Sequence, residues 1–264
     1  MEPAHHQEAS WRSGYAEDCK SFYGGSIPSE ASIFLSEASG VSRVRMAMND
    51  FAKARRYMVD CQVRTADVTD HAVIAAFDAV ERERFAPAAA RDIAYLDRAL
   101  DVGEGRAMLP PMLLARLVQL LKLTKSDRVI DLGCALGYST AILADIAGEA
   151  IGIEASGALA GEAAARLAAA GVANATAATG SFLDPALAGK PADAMLVNGA
   201  FEIIPDGWIK ALADGGRIAG VQMSGGVGRA ALLTRAGDEL TVQSLFDAAA
   251  PVLPDLRRKA EFAF

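Results

Sequence analysis

The residues best placed to do chemistry lie between Asp127 and Glu154. An apolar run leads into Asp131, Gly133 and Gly137 mark a tight turn, a helical pattern opens at Tyr138, and a second apolar run, Ala150-Ile151-Gly152-Ile153, ends in Glu154. Gly133 permits a sharp strand-to-helix turn, and Gly137 leaves room for a ligand or a neighbouring strand to approach the backbone. Glu154 follows roughly twenty residues after the first turn glycine, where a carboxylate accepts hydrogen bonds from both hydroxyls of a ribose. This is the layout of the nucleotide-binding half of a doubly wound sheet, and it predicts a cofactor that carries an adenosine. A dinucleotide would require glycine at positions 133, 135 and 138, whereas Ala135 and Tyr138 occupy the last two. S-adenosylmethionine has no pyrophosphate to press against the helix N-terminus, and Asp131 places a carboxylate where its cationic methionyl end would lie. The pattern therefore points to methyl transfer, with a nicotinamide oxidoreductase as the lesser alternative.

The elements that must position these residues follow from periodicity. Apolar residues at helical spacing predict a helix over 52–63, and Thr69-Asp70 caps a second helix running through Val73, Ile74, Phe77 and Val80 that Pro87 is expected to stop. Residues 93–105 read as extended chain and turns, and Pro110-Pro111 opens a helix through Leu121. Beyond the 129–132 strand, β and α patterns alternate: strands at 149–153, 174–178, 193–198 and 216–221, with helices from Gly137, from Ser156 and after Pro205. Such alternation predicts a mostly parallel sheet with helices on both faces. Two further runs, 230–234 and 240–246, flank a turn and predict an antiparallel hairpin at the sheet edge, as in class I methyltransferases. The expected organisation is an extension over 1–47, a helical and substrate-loop region over 48–122, a Rossmann-like cofactor domain over 123–250 and a tail over 251–264.

Composition excludes several alternatives. A chain of 264 residues, 52% hydrophobic, can bury one sizeable α/β core. The net charge of −7 argues against a nucleic-acid partner. No apolar run approaches a membrane span, and the N-terminus lacks the order of a secretory signal, so a cytoplasmic location is expected. The three cysteines, Cys19, Cys61 and Cys134, are widely spaced and odd in number, which supports neither a disulfide framework nor a zinc cluster. Residues 1–47 lack a sustained apolar period and read as disordered; Met46 and Met48 offer a downstream start, and His5 and His6 are assigned no metal. Cys134 reads as a space-filling loop residue, His71 as an exposed helix residue, and Met108, Met112, Met195 and Met223 as core.

An ordered series of segments over roughly 50–246 resembles the protein-L-isoaspartate O-methyltransferases. It comprises Ala54 to Arg64, Phe85-Ala86-Pro87, Ala94-Tyr95-Leu96-Asp97-Arg98, Asp131-Leu132-Gly133 with Gly137-Tyr138, Pro191 to Val197 and Asp214-Gly215-Gly216-Arg217. The resemblance implies S-adenosylmethionine as cofactor and, as acceptor, the carboxylate of an isoaspartyl residue in a protein or peptide. It implies donor binding by Asp131, Gly133, Ala135, Gly137 and Glu154, by Gly180 and Ser181 near the adenine, and by Asn198 after the fourth strand. It also implies that the loop Arg106, Ala107, Leu109 faces the acceptor, although Ala107 and Leu109 stand where the family carries threonine and serine. A carboxylate acceptor is already ionised at neutral pH, so no general base is required and positioning supplies most of the acceleration. Arg106 either grips that carboxylate with its guanidinium fork or is a solvated loop charge. Tyr95 and Asp97-Arg98 either line the substrate groove or tie the helices to the sheet. The rival reading is a relative that has lost catalysis and serves as a cofactor-binding or scaffold protein, or one with a changed acceptor.

Overall fold

The computed structural model describes residues 50–185 and 190–258. The extension expected over 1–47, with His5 and His6, lies outside the described residues. Helix α1 (Phe51–Met58) starts at Asp50, whose carboxylate accepts the Lys53 N–H. The chain then widens into a π turn, Val59–Val63, and tightens into a 3-10 turn, Arg64–Ala66, where a regular helix to 63 was expected. Helix α2 (His71–Ala79) is capped by Asp70, which accepts from Ala72 and Val73 N–H. It ends at Val80 and not at Pro87, because the backbone turns extended there and carries Arg82 into the interior.

A short antiparallel hairpin follows, β1 (Leu100–Gly103) with β2 (Arg106–Met108), and then α3 (Pro111–Leu120), with proline at its first position. The sheet is built from β3 (Arg128–Leu132), β4 (Glu149–Glu154), β5 (Ala175–Thr179), β6 (Ala192–Phe201), β7 (Leu212–Ser224), β8 (Val227–Ala236) and β9 (Glu239–Asp247). Helices α4 (Tyr138–Ile146), α5 (Gly157–Ala169) and α6 (Asp206–Ala211) connect the parallel strands. The strand order is β5-β4-β3-β6-β7-β8-β9, parallel from β5 to β7 and antiparallel for β8 and β9. This is the doubly wound sheet with an antiparallel edge pair that the sequence pattern predicts. The chain leaves β3 for β4 on one side and returns to β6 on the other, so the order reverses between β3 and β6, and a ligand crevice opens at the carboxyl ends of such strands.

Alternating side chains feed two apolar layers. Val129, Ala194, Leu196 and Ala219 pack on the face that receives α2, α3 and α4, while Ile130, Met195, Val197 and Ile218 pack on the face with Trp208 of α6. The helical region and the sheet share the first layer: Met58, Phe77, Leu109 and Leu117 join Val129 and Val221 in one cluster. The C-terminal stretch is tied down. Ala200 N–H donates to the Pro251 carbonyl, Leu253 N–H to the Ala200 carbonyl and Glu202 N–H to the Leu256 carbonyl, and Leu253 and Leu256 are fully buried in the second layer.

Candidate functional site

The turn after β3 is left-handed at three points, Gly133 (φ +81°), Ala135 (φ +52°) and Gly137 (φ +89°), the last preceding α4. Gly133 N–H donates to the Ile153 carbonyl at 2.7 Å and Gly137 N–H to the Cys134 carbonyl at 2.8 Å, which folds the loop against the end of β4. Alanine pays a steric penalty at a positive φ that glycine does not, so Ala135 is held there by its surroundings. Its N–H donates to Glu154 Oε2 at 2.9 Å.

Two buried carboxylates stand side by side at the ends of β3 and β4. Asp131 Oδ2 accepts the hydroxyls of Ser139 (2.6 Å) and Thr140 (2.7 Å), both in the first turn of α4, and Asn198 Nδ2 donates in turn to Ser139 Oγ. Asp131 Oδ1 and Asn198 Oδ1 have no partner in this structure. Burial pushes the Asp131 carboxyl up to about 6; the two hydroxyls and Arg106 oppose that shift and the Glu154 charge adds to it. Burial likewise pushes the Cys134 thiol up, so this residue fills space in the loop and is no nucleophile.

Glu154 is fully buried, and its carboxylate is occupied by the chain itself. Arg106 Nε lies 3.2 and 3.3 Å from the two Glu154 oxygens, and Arg106 Nη2 donates to the carbonyls of Gly133 (2.6 Å) and Asn198 (3.4 Å). The guanidinium stands 5.7 Å from the Phe182 ring centre. Arg106 is therefore neither a solvated loop charge nor free to grip an outside carboxylate in this conformation. Leu253 packs over the two glycines beside it, since a β-carbon at Gly133 or Gly199 would meet its Cδ2 at 3.2 or 2.7 Å.

The other expected site residues separate. Leu109 is buried in the shared apolar layer, and its carbonyl accepts from the fully buried Arg82, so this side chain packs the core and does not wall a groove. Ala107 is buried on β2. Ser181 is exposed and accepts the Leu183 N–H within its own turn, while the next residue, Phe182, turns inward toward Arg106. Gly180 N–H pairs with the Glu154 carbonyl. Tyr95 binds Glu83 and Gln62, and Asp97 accepts the Met112 N–H, so both tie the helices together. Sequence reasoning missed Ser139, Thr140, Phe182 and Leu253. Two hydroxyls one turn beyond a strand-end carboxylate are a usable signal for the first pair; nothing local marks the other two.

No described helix is long and apolar enough to cross a membrane. The model of the family described as protein-L-isoaspartate(D-aspartate) O-methyltransferase matches residues 54–247. Among curated proteins, the chain is 39% identical over 168 residues to protein-L-isoaspartate O-methyltransferase 1 of Rhodopseudomonas palustris, covering 64% of this chain and 69% of that protein. It is 35% identical over 199 residues to protein-L-isoaspartate O-methyltransferase of Roseiflexus castenholzii, covering 75% and 90%. Among solved structures, a protein-L-isoaspartate O-methyltransferase superposes with a TM-score of 0.63 at 20% identity, over 79% of this chain and 65% of that one. A protein-L-isoaspartate O-methyltransferase structure from Plasmodium falciparum, in complex with S-adenosyl-L-homocysteine, gives 0.61 at 16% identity, over 78% of this chain and 98% of that one. These two similarities establish the fold.

Proposed function

The chain belongs to the protein-L-isoaspartate(D-aspartate) O-methyltransferase family, and from that premise we propose that it transfers a methyl group from S-adenosylmethionine to the carboxylate of isoaspartyl residues in damaged proteins. The observation that carries the reading is the pair of buried carboxylates at the β3 and β4 ends, one of which keeps an unpartnered oxygen, Asp131 Oδ1. A buried acceptor with no donor calls for a ligand group to satisfy it. The residue types fit the methyl donor: Glu154, once released by Arg106, for the sugar hydroxyls, and Asp131 and Asn198 for the polar methionyl end. When bound, this donor supplies an activated methyl group on a sulfonium.

The chain's own part is positional. An ionised acceptor carboxylate needs no proton removed, so the protein must hold it in line and keep water out. Substrates are protein or peptide carboxylates met in a cytoplasmic setting, and the acidic net charge of −7 argues against a nucleic-acid partner.

The test is transfer of labelled methyl to a synthetic isoaspartyl peptide, with the normal aspartyl peptide as control. Incorporation into the isoaspartyl form alone is expected, as base-labile label. Absence of transfer at saturating donor and peptide would refute the activity.

A further inference from the structure

Arg106 holds the carboxylate that the methyltransferase reading assigns to the donor's sugar. Glu154 takes four contacts at once: the Ala135 and Ala155 N–H groups at 2.9 and 3.1 Å, and Arg106 Nε shared between its two oxygens. A carboxylate offers about four lone-pair sites, so a pair of sugar hydroxyls must displace something. The two amides belong to the loop and to the strand end and cannot leave. The guanidinium is the far end of a flexible chain and can.

A guanidinium lifted from its partner inside a low-dielectric crevice is costly unless it meets another anion. On β2 and just beyond it, Ala107 and Leu109 offer nothing to a charged acceptor, and Arg106 is the residue there able to hold a carboxylate by a two-pronged fork. We propose that Arg106 exchanges one carboxylate for another. It pairs with Glu154 while the donor is absent, is displaced by the donor's sugar, and then binds the carboxylate of the isoaspartyl acceptor. Donor must therefore bind before acceptor, and the apolar Ala107 and Leu109 are tolerated because the acceptor is held by charge. The inference rests on the methyltransferase reading above.

Calorimetric titration tests it with the full chain as wild type and as Arg106→Gln. The probes are S-adenosylhomocysteine, which carries the sugar but cannot react, and an isoaspartyl peptide titrated with and without that compound at saturation. Arg106→Gln is expected to bind S-adenosylhomocysteine roughly tenfold or more tightly than wild type, within the usual range of coupling between linked sites. Wild type is expected to bind the peptide only in the presence of S-adenosylhomocysteine, and the variant to bind it in neither condition. Equal affinity of both proteins for S-adenosylhomocysteine would overturn the exchange while leaving the methyltransferase reading intact. Peptide binding to wild type regardless of S-adenosylhomocysteine would overturn the order. Failure of both proteins to bind S-adenosylhomocysteine would overturn the donor reading and the exchange with it. If the melting profile shows that Arg106→Gln does not fold, Arg106→Lys serves in its place, since lysine keeps the charge and loses the fork. Its S-adenosylhomocysteine affinity is then expected above that of wild type and its peptide affinity below; unchanged values in both would overturn the proposal.

Discussion

Two positions in the loop after β3 have the same backbone handedness and opposite residues, so exchanging glycine and alanine should cost much at one and little at the other. Gly133→Ala places a methyl group at φ +81°, with its β-carbon 2.5 Å from Arg106 Nη2 and 3.2 Å from Leu253 Cδ2. The left-handed conformation costs an L-residue about 1–2 kcal/mol. The guanidinium has to give way, losing a charged hydrogen bond to the Gly133 carbonyl of about 1.5–3 kcal/mol. The stiffer unfolded chain returns about 0.4–1 kcal/mol. The net expectation is a loss of about 2–4 kcal/mol. Ala135→Gly removes the penalty of about 1–2 kcal/mol at φ +52°, but it returns about 0.4–1 kcal/mol of chain entropy to the unfolded state and gives up a buried methyl group of about 0.8 kcal/mol, so its stability should stay close to that of wild type. Urea unfolding monitored by circular dichroism measures both. A Gly133→Ala protein within about 0.5 kcal/mol of wild type, or an Ala135→Gly protein destabilised by about 1 kcal/mol, would refute the reading of this loop as strained and of Arg106 as packed upon it.

Asp131 has a folded-state pKa raised to about 6 from 3.8, so the folded state holds its proton more tightly than the unfolded state does. Its contribution to stability is thus present below pH 4 and is lost as pH rises through 6, a change of about 3 kcal/mol. Asp131→Asn should lack this slope, and the difference between wild-type and variant stability, measured from pH 4 to 7, should change by that amount; parallel curves would contradict it. Leu253→Ala removes a fully buried side chain from between Gly133 and Gly199, and a loss of about 2–4 kcal/mol is expected by thermal or urea unfolding.

Much of the fold is legible in local pattern. Alternation between two-residue and helical periods reveals the order of strands and helices, because each strand of β3 to β7 and each helix must bury a face of its own. The strand-end positions of Asp131 and Glu154 and the glycines of the turn follow in the same way, since a tight turn restricts residue type within a few positions. Helix ends are less legible in local pattern. Pro87 was expected to stop α2, but the buried hydrogen bonds of Arg82 to the Ala94 and Leu109 carbonyls draw the chain inward first.

By itself, the amino-acid order determines that this chain forms a doubly wound sheet, and that two carboxylates and a glycine turn meet at the ends of its first strands. The tertiary structure alone decides what else enters that crevice. Arg106 reaches partners 27, 48 and 92 positions away along the chain, Phe182 turns in where Ser181 was expected, Leu109 sinks into the core, and Leu253 arrives from beyond β9. Periodicity and turn chemistry operate over a few residues, whereas the partner of a buried charge is set by which distant segments packing brings within hydrogen-bond reach.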